Sequence, residues 1–109
     1  MYYECKISTT NQAHALNIRQ IRLYQNIDFY ICAYIDELNL SNSLCFLLTK
    51  EQMAKEVLDH GSYTHGTKNE NVLRTNSEYS ITFKTDSKLS LEWKQKYYCD
   101  RLYDALISQ

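Results

Sequence analysis

The fold turns on Ala13-His14-Ala15-Leu16-Asn17-Ile18-Arg19-Gln20-Ile21-Arg22-Leu23-Tyr24-Gln25. Wound at 3.6 residues per turn, this stretch places Ala13, Leu16, Gln20, Leu23 and Tyr24 on one face, with Asn17 at its edge and Arg19 and Arg22 elsewhere. The polar run Ser8 to Gln12 ahead of it is rich in N-cap residues, and Asn26-Ile27-Asp28 closes it. The spacing predicts a helix from Ala13 to Gln25. Gln20 then sits in the middle of an apolar face, where its amide needs a hydrogen-bonding partner in the backbone or in a ligand.

Upstream, Tyr2-Tyr3-Glu4-Cys5-Lys6-Ile7-Ser8-Thr9 reads as a strand. Strand side chains alternate between faces, so Glu4 and Lys6 share one face, about 6–7 Å apart, while Tyr3, Cys5 and Ile7 share the other. Downstream, Phe29-Tyr30-Ile31-Cys32-Ala33-Tyr34-Ile35 is a nearly unbroken apolar run, the mark of a strand covered on both faces. Asp36 to Asn42 is a polar loop, and Ser43 to Leu48 is a second apolar strand that can form a hairpin with the first. Thr49 caps a helix from Lys50 to about Leu58 that turns Met53, Val57 and Ala54 inward.

Gly61 and Gly66 bracket a loop, and polar sequence continues through Asn76. Tyr79, Ile81 and Phe83 then alternate with Ser80, Thr82 and Lys84 as in a half-buried strand. Ser90 to Ile107 reads as a closing helix. The order is β-α-β-β-α-(loop)-β-α. The fold class is therefore α/β (α+β): helices packed on a mixed sheet, with the first two strands parallel and joined by a right-handed crossover.

A chain of 109 residues without internal repeats or a linker makes one domain. Twelve Lys and Arg against thirteen Asp and Glu leave a net charge of −1, which argues against a charge-driven nucleic-acid binder, though a local basic cleft fits. Cys5, Cys32, Cys45 and Cys99 form no C-x-x-C pair; the first three lie in apolar strands, where a free thiol behaves as a small buried hydrophobe. No apolar h-region follows Met1 and no run approaches the ~20 residues of a membrane span, so a reduced, cytoplasmic protein is expected.

Glu4-Cys5-Lys6 on a strand, then a helix carrying Gln20-Ile21-Arg22-Leu23-Tyr24, then an apolar strand, resembles the PD-(D/E)XK nucleases, the restriction-endonuclease-like superfamily. The second half, with its two-strand core and the His65-Gly66-Thr67-Lys68-Asn69 loop, looks like the small restriction-type endonucleases. The resemblance implies a restriction-endonuclease-like β-α-β core that cleaves DNA with Mg2+, for which Mn2+ can substitute. Glu4 would hold the metal, Lys6 would orient the attacking water or offset developing charge, and Gln20 would hold that water or a phosphate oxygen. Arg19, Arg22, Lys68 and Arg74 become candidate contacts to DNA phosphates.

In that family the first acid lies on the strand before E-x-K. Here only Met1, Tyr2 and Tyr3 precede Glu4, so the usual N-terminal helix and first strands are expected to be lacking. The missing acid would come from a longer parent chain, from a second polypeptide or swapped protomer in a homo- or hetero-oligomer, or from Asp36 or Glu37. Two further functions compete. One is a non-catalytic nuclease-like module serving as a DNA-binding or assembly subunit. The other is a small interaction domain whose tyrosine-rich faces form an oligomer interface.

Overall fold

In a computed structural model, which describes residues 2–9, 14–63 and 78–99, the protein is built on two three-stranded sheets. The first joins β1 (Tyr3–Thr9), β3 (Phe29–Ile35) and β4 (Leu44–Thr49) in the order β1-β3-β4. β1 is parallel to β3, with Tyr3 opposite Phe29 and Thr9 opposite Ile35. β3 and β4 form the expected antiparallel hairpin. The connection between them is held by Asp36, whose Oδ1 accepts from the backbone N–H groups of Leu38 and Asn39, and by one 3-10 turn over Leu40–Asn42 capped by Asn39. Tyr30, Cys32 and Tyr34 of β3 and Leu44, Phe46 and Leu48 of β4 all point to one buried face.

The second sheet overturns the expected helix. The segment between β1 and β3 is a strand, β2 (Ala15–Ile21), antiparallel to β6 (Tyr79–Lys84), which also pairs with the two-residue β5 (Ser62–Tyr63). The physical reason lies in two periodicities competing for the same residues. Leu16 and Ile18 are both fully buried with Asn17 between them, a period-2 pattern that a helix cannot bury on one face. The ladder then breaks between Ile18 and Ile21. Arg19 and Gln20 bulge outward, Gln20 with φ 54°, and Ile21 returns to the core. β-Branched Ile18 and Ile21 favour this pleat. Burying Leu16, Ile18 and Ile21 contributes roughly 1.5–3 kcal/mol each. The crossover from β1 to its parallel neighbour β3 therefore runs through the other sheet, and its described residues, 14–28, hold no helix of the kind a restriction-endonuclease-like β-α-β core would carry.

Two helices among the described residues close the core. α1 (Lys50–His60) begins at Thr49 with the full reciprocal cap: the Thr49 hydroxyl accepts from the Gln52 N–H, and the Gln52 amide oxygen accepts from the Thr49 N–H. It turns Met53, Glu56 and Val57 inward and ends at Gly61, where a Cβ would lie 2.6 Å from the Val57 carbonyl oxygen. α2 (Lys88–Lys96) is shorter than the expected closing helix; Ser87 caps it, and it buries Ser90 and Trp93. The residues beyond it, Tyr97 to Cys99, lie along the free side of β4: the Leu47 N–H donates to the Tyr97 carbonyl and the Cys99 N–H to that of Cys45. The expected continuation to Ile107 lies outside the described residues. The result is a small α+β domain with a mixed sheet, in which no described helix is long and apolar enough to cross a membrane.

Candidate functional site at the first strand

Glu4 and Lys6 do share a face of β1, and they meet: Lys6 Nζ lies 2.6 Å from Glu4 Oε1 and donates at 3.1 Å to the Gln20 carbonyl oxygen. Both are largely screened from solvent, with side-chain exposures of 12% for Lys6 and 26% for Glu4. The next residue on that face, Ser8, is buried, and its hydroxyl both donates to the Asn17 carbonyl at 3.0 Å and accepts from the Asn17 N–H at 2.9 Å. These side-chain bonds stand where a β1–β2 ladder would be. Because the Ser8 side chain leaves the sheet on its inner face, β2 meets β1 from that side. Along the seam runs an open groove of about 640 Å³, lined by Glu4 to Thr9 and by Asn17, Arg19 and Gln20.

The structure thus gathers Glu4, Lys6, Arg19 and Gln20 at one groove. Gln20 is not the inward glutamine of a helix face; its side chain is exposed and it is the backbone carbonyl that meets Lys6. The remaining candidates lie elsewhere. Arg22 is tied to Glu78, with Nε donating at 2.8 Å, and that bond raises the guanidinium pKa first of all. Asp36 lines a different cavity, of about 570 Å³, together with His14, Tyr34, Lys94 and Tyr98, and its carboxylate is engaged by the loop backbone. Lys68 and Arg74 fall outside the described residues.

Magnesium takes several hard oxygen ligands. Among the described residues Glu4 is the one carboxylate lining this groove, it is paired with Lys6, and no described cluster of three or more His, Cys, Asp or Glu side chains could hold a metal. The described residues at the groove therefore do not by themselves fit a resident Mg2+.

β1 carries a second feature, on its other face. Its charged residues point inward and its apolar ones outward: Tyr3 is 54% and Ile7 57% exposed, and Cys5, expected to be buried, is exposed as well. Tyr2, just ahead of the strand, is 61% exposed. Across the sheet the same face continues through Phe29, Ile31 and Leu47 to the buried pair Ala33 and Cys45. The Tyr3 ring stacks on Phe29 with centroids 5.3 Å apart. Cys32 and Cys45 are buried as expected; burial pushes the Cys45 thiol up to about 11, Cys99 and Cys5 adding to the effect, and burial likewise raises Cys32 against the opposing charge of Lys6.

Sequence reasoning missed one buried polar cluster entirely. Glu56, 2% exposed, accepts from Trp93 Nε1 at 2.8 Å and from the Tyr97 hydroxyl at 2.7 Å, fastening α1 to the far end of α2. Its signal was available: Glu56 stands beside Val57 and three residues after Met53, on the apolar side of α1. Burial, and then the bond to Glu56, raises the Tyr97 pKa. The Tyr30 hydroxyl, opposite Glu4 in the sheet, is buried without a partner, and burial followed by the charge of Glu4 pushes it up to about 12.

Protein-family models, curated proteins and solved structures all fail to match this chain, so its chemistry rests on the geometry of its own residues.

Proposed function

We propose that this protein is an assembly module: a small α+β domain that works by burying the outer surface of β1 against another polypeptide chain. The observation that carries this reading is the inverted strand. A soluble domain gains by turning apolar side chains inward, yet β1 leaves Tyr3, Cys5 and Ile7 outside, flanked by Tyr2. At roughly 200 Å² for each tyrosine, Tyr2 and Tyr3 expose on the order of 200 Å² between them. With Ile7 the patch approaches the size that marks interaction sites on monomers, on the order of 300 Å² and above. A reducing, cytoplasmic setting belongs to the same proposal, supported by four free thiols.

The test is the accessibility of the Cys5 thiol, which shares the outer face with Tyr3 and Ile7. In the assembled protein Cys5 should be protected from maleimide labelling, and a Tyr3→Ser/Ile7→Ser variant should lose both the assembly and that protection while keeping its circular-dichroism spectrum. A Cys5 thiol that reacts at the free-chain rate in every assembly refutes the reading.

A second reading, metal-dependent hydrolysis of DNA phosphodiesters, is favoured by one observation: Glu4 and Lys6 share a face and line a groove with Arg19 and Gln20. Because the groove does not by itself fit Mg2+, this reading needs acids from a second polypeptide or protomer. It predicts DNA cleavage in Mg2+ or Mn2+ that is abolished by Glu4→Ala and by Lys6→Ala. Cleavage that survives both substitutions, or none in any assembly of the chain, eliminates it.

A further inference from the structure

The residues that follow α2 run antiparallel along β4. Phe46 and Tyr98 face each other as a bridge, the Leu47 N–H donates to the Tyr97 carbonyl, and the Cys99 N–H donates to the Cys45 carbonyl at 3.0 Å. The side chains keep this register: the rings of Phe46 and Tyr98 meet edge to face with centroids 6.4 Å apart. Neighbouring residues of a strand point to opposite faces, so Cys45 and Cys99 stand opposite one another on the other face. Both thiols are free, Cys45 fully buried and Cys99 partly exposed. After burial, the charge of Cys99 is what raises the Cys45 thiol most.

We propose that Cys45 and Cys99 form a reversible disulfide, a latch that fastens the segment after α2 to β4 when the surrounding thiol pool is oxidised. Residues directly opposite in an antiparallel pair have Cα atoms about 4.5–5.5 Å apart, within the roughly 4.4–6.8 Å that a disulfide spans. The bond therefore needs no backbone movement. The other two thiols are not so placed. Cys32 points to the inner face with Tyr30 and Tyr34, and Cys5 lies on β1, with β3 between it and β4. The latch is independent of assembly through β1, whose thiol it does not use.

The oxidant is a low-molecular-weight disulfide of the glutathione type. Cys99, the more accessible of the two, loses its proton to water and attacks one sulfur of that disulfide. The sulfur–sulfur bond breaks, one small thiolate leaves and takes up a proton, and Cys99 carries the other half as a mixed disulfide. Cys45 then loses its proton and attacks Cys99 Sγ, releasing the second small thiol. Two electrons pass from the protein dithiol to the small disulfide, which ends as two thiols. In a reducing setting the latch stays open, and the segment is held to β4 by its backbone bonds and the packing of its rings. Oxidation adds a covalent tie that closes the chain from Cys45 to Cys99 into a loop containing α1, β6 and α2.

The closing experiment equilibrates folded wild-type protein in mixtures of reduced and oxidised glutathione, traps thiols with N-ethylmaleimide and maps linkages by mass spectrometry. As the oxidised share rises, Cys45 and Cys99 should pass together from two trapped thiols to one disulfide, and dithiothreitol should reverse the change. Cys5→Ser should leave this transition in place. Cys45→Ala should halt the reaction with one glutathione on Cys99, and Cys99→Ser, at the partly exposed position, should leave Cys45 a trapped thiol. In the oxidised protein, amide exchange at Leu47 and Cys99 should slow by about tenfold or more. Wild-type protein in which Cys99 keeps its glutathione, or in which both thiols are trapped at every ratio, overturns the disulfide. So does a link that forms only in urea, or one that joins Cys5 or Cys32 instead. A Cys45–Cys99 disulfide that leaves exchange at Leu47 and Cys99 unchanged overturns the latch.

Discussion

The Glu56 cluster gives the sharpest test of the core. Glu56→Leu keeps the volume roughly constant but strands two buried donors, Trp93 Nε1 and the Tyr97 hydroxyl, which the carboxylate holds at 2.8 and 2.7 Å. Trp93 is fully buried and Tyr97 is 7% exposed, so water cannot replace the lost acceptor at the tryptophan. An unsatisfied buried polar group costs about 1–3 kcal/mol, and two of them about 4 kcal/mol. That is a large fraction of the roughly 5–15 kcal/mol by which a domain of this size is stable. Glu56→Gln retains an acceptor for Trp93 and offers an amide to the Tyr97 oxygen, so it should cost only about 1 kcal/mol. The decisive measurement is a double-mutant cycle by urea denaturation. Tyr97→Phe should cost about 1–2 kcal/mol in the wild type, but be neutral or stabilising in the Glu56→Leu background, where it removes an orphaned hydroxyl. Additive effects, or a Glu56→Leu cost below about 1 kcal/mol, would show that the carboxylate does not bind the two helices together.

Two further perturbations test how β1 is held. Ser8→Ala removes the hydroxyl that satisfies both backbone groups of Asn17, so the urea midpoint should fall by the equivalent of about 1–3 kcal/mol at an unchanged m-value; an unshifted midpoint refutes the stitching role. The Tyr30 pKa is raised in the folded state to about 12, so the unfolded chain releases this proton first, binds fewer protons above pH 10, and stability must fall as pH rises from about 10 to 12. Tyr30→Phe should flatten that alkaline limb of the stability profile by up to about 1 kcal/mol per pH unit; an identical slope in the variant sinks the assignment.

The parts of the fold legible in the sequence were those where a single periodicity ruled. The unbroken apolar run Phe29 to Ile35, the alternation Tyr79-Ile81-Phe83 and the Thr49 cap each had one reading, and β3, β6 and α1 stand where those readings put them. Residues 13–25 had two. Their helical wheel was as apolar as their strand pattern, and what chose between them was not local: β6 needed an antiparallel neighbour, and the Ser8 hydroxyl offered Asn17 the two bonds that pin it. The outward bulge at Arg19 and Gln20 hid the strand by breaking its alternation. Glu4 and Lys6 were rightly placed on one face, but alternation says only which residues share a face, never which face is inside. Composition suggested that the apolar set would go in; the structure turns Tyr3, Cys5 and Ile7 out.

That inversion also explains why a charged pair belongs on this strand. Inward-pointing charges on an edge strand are a standard guard against edge-to-edge association, because an incoming strand must bring its own side chains against them. Lys6 and Glu4 neutralise one another within the chain, which lets β1 fold with both side chains largely screened. Any strand approaching this side of the sheet must bring its own groups against both charges. Glu4 and Lys6 therefore need no metal to account for their spacing: residues two apart on a strand share a face, and the two charges are satisfied by each other and by the Gln20 carbonyl.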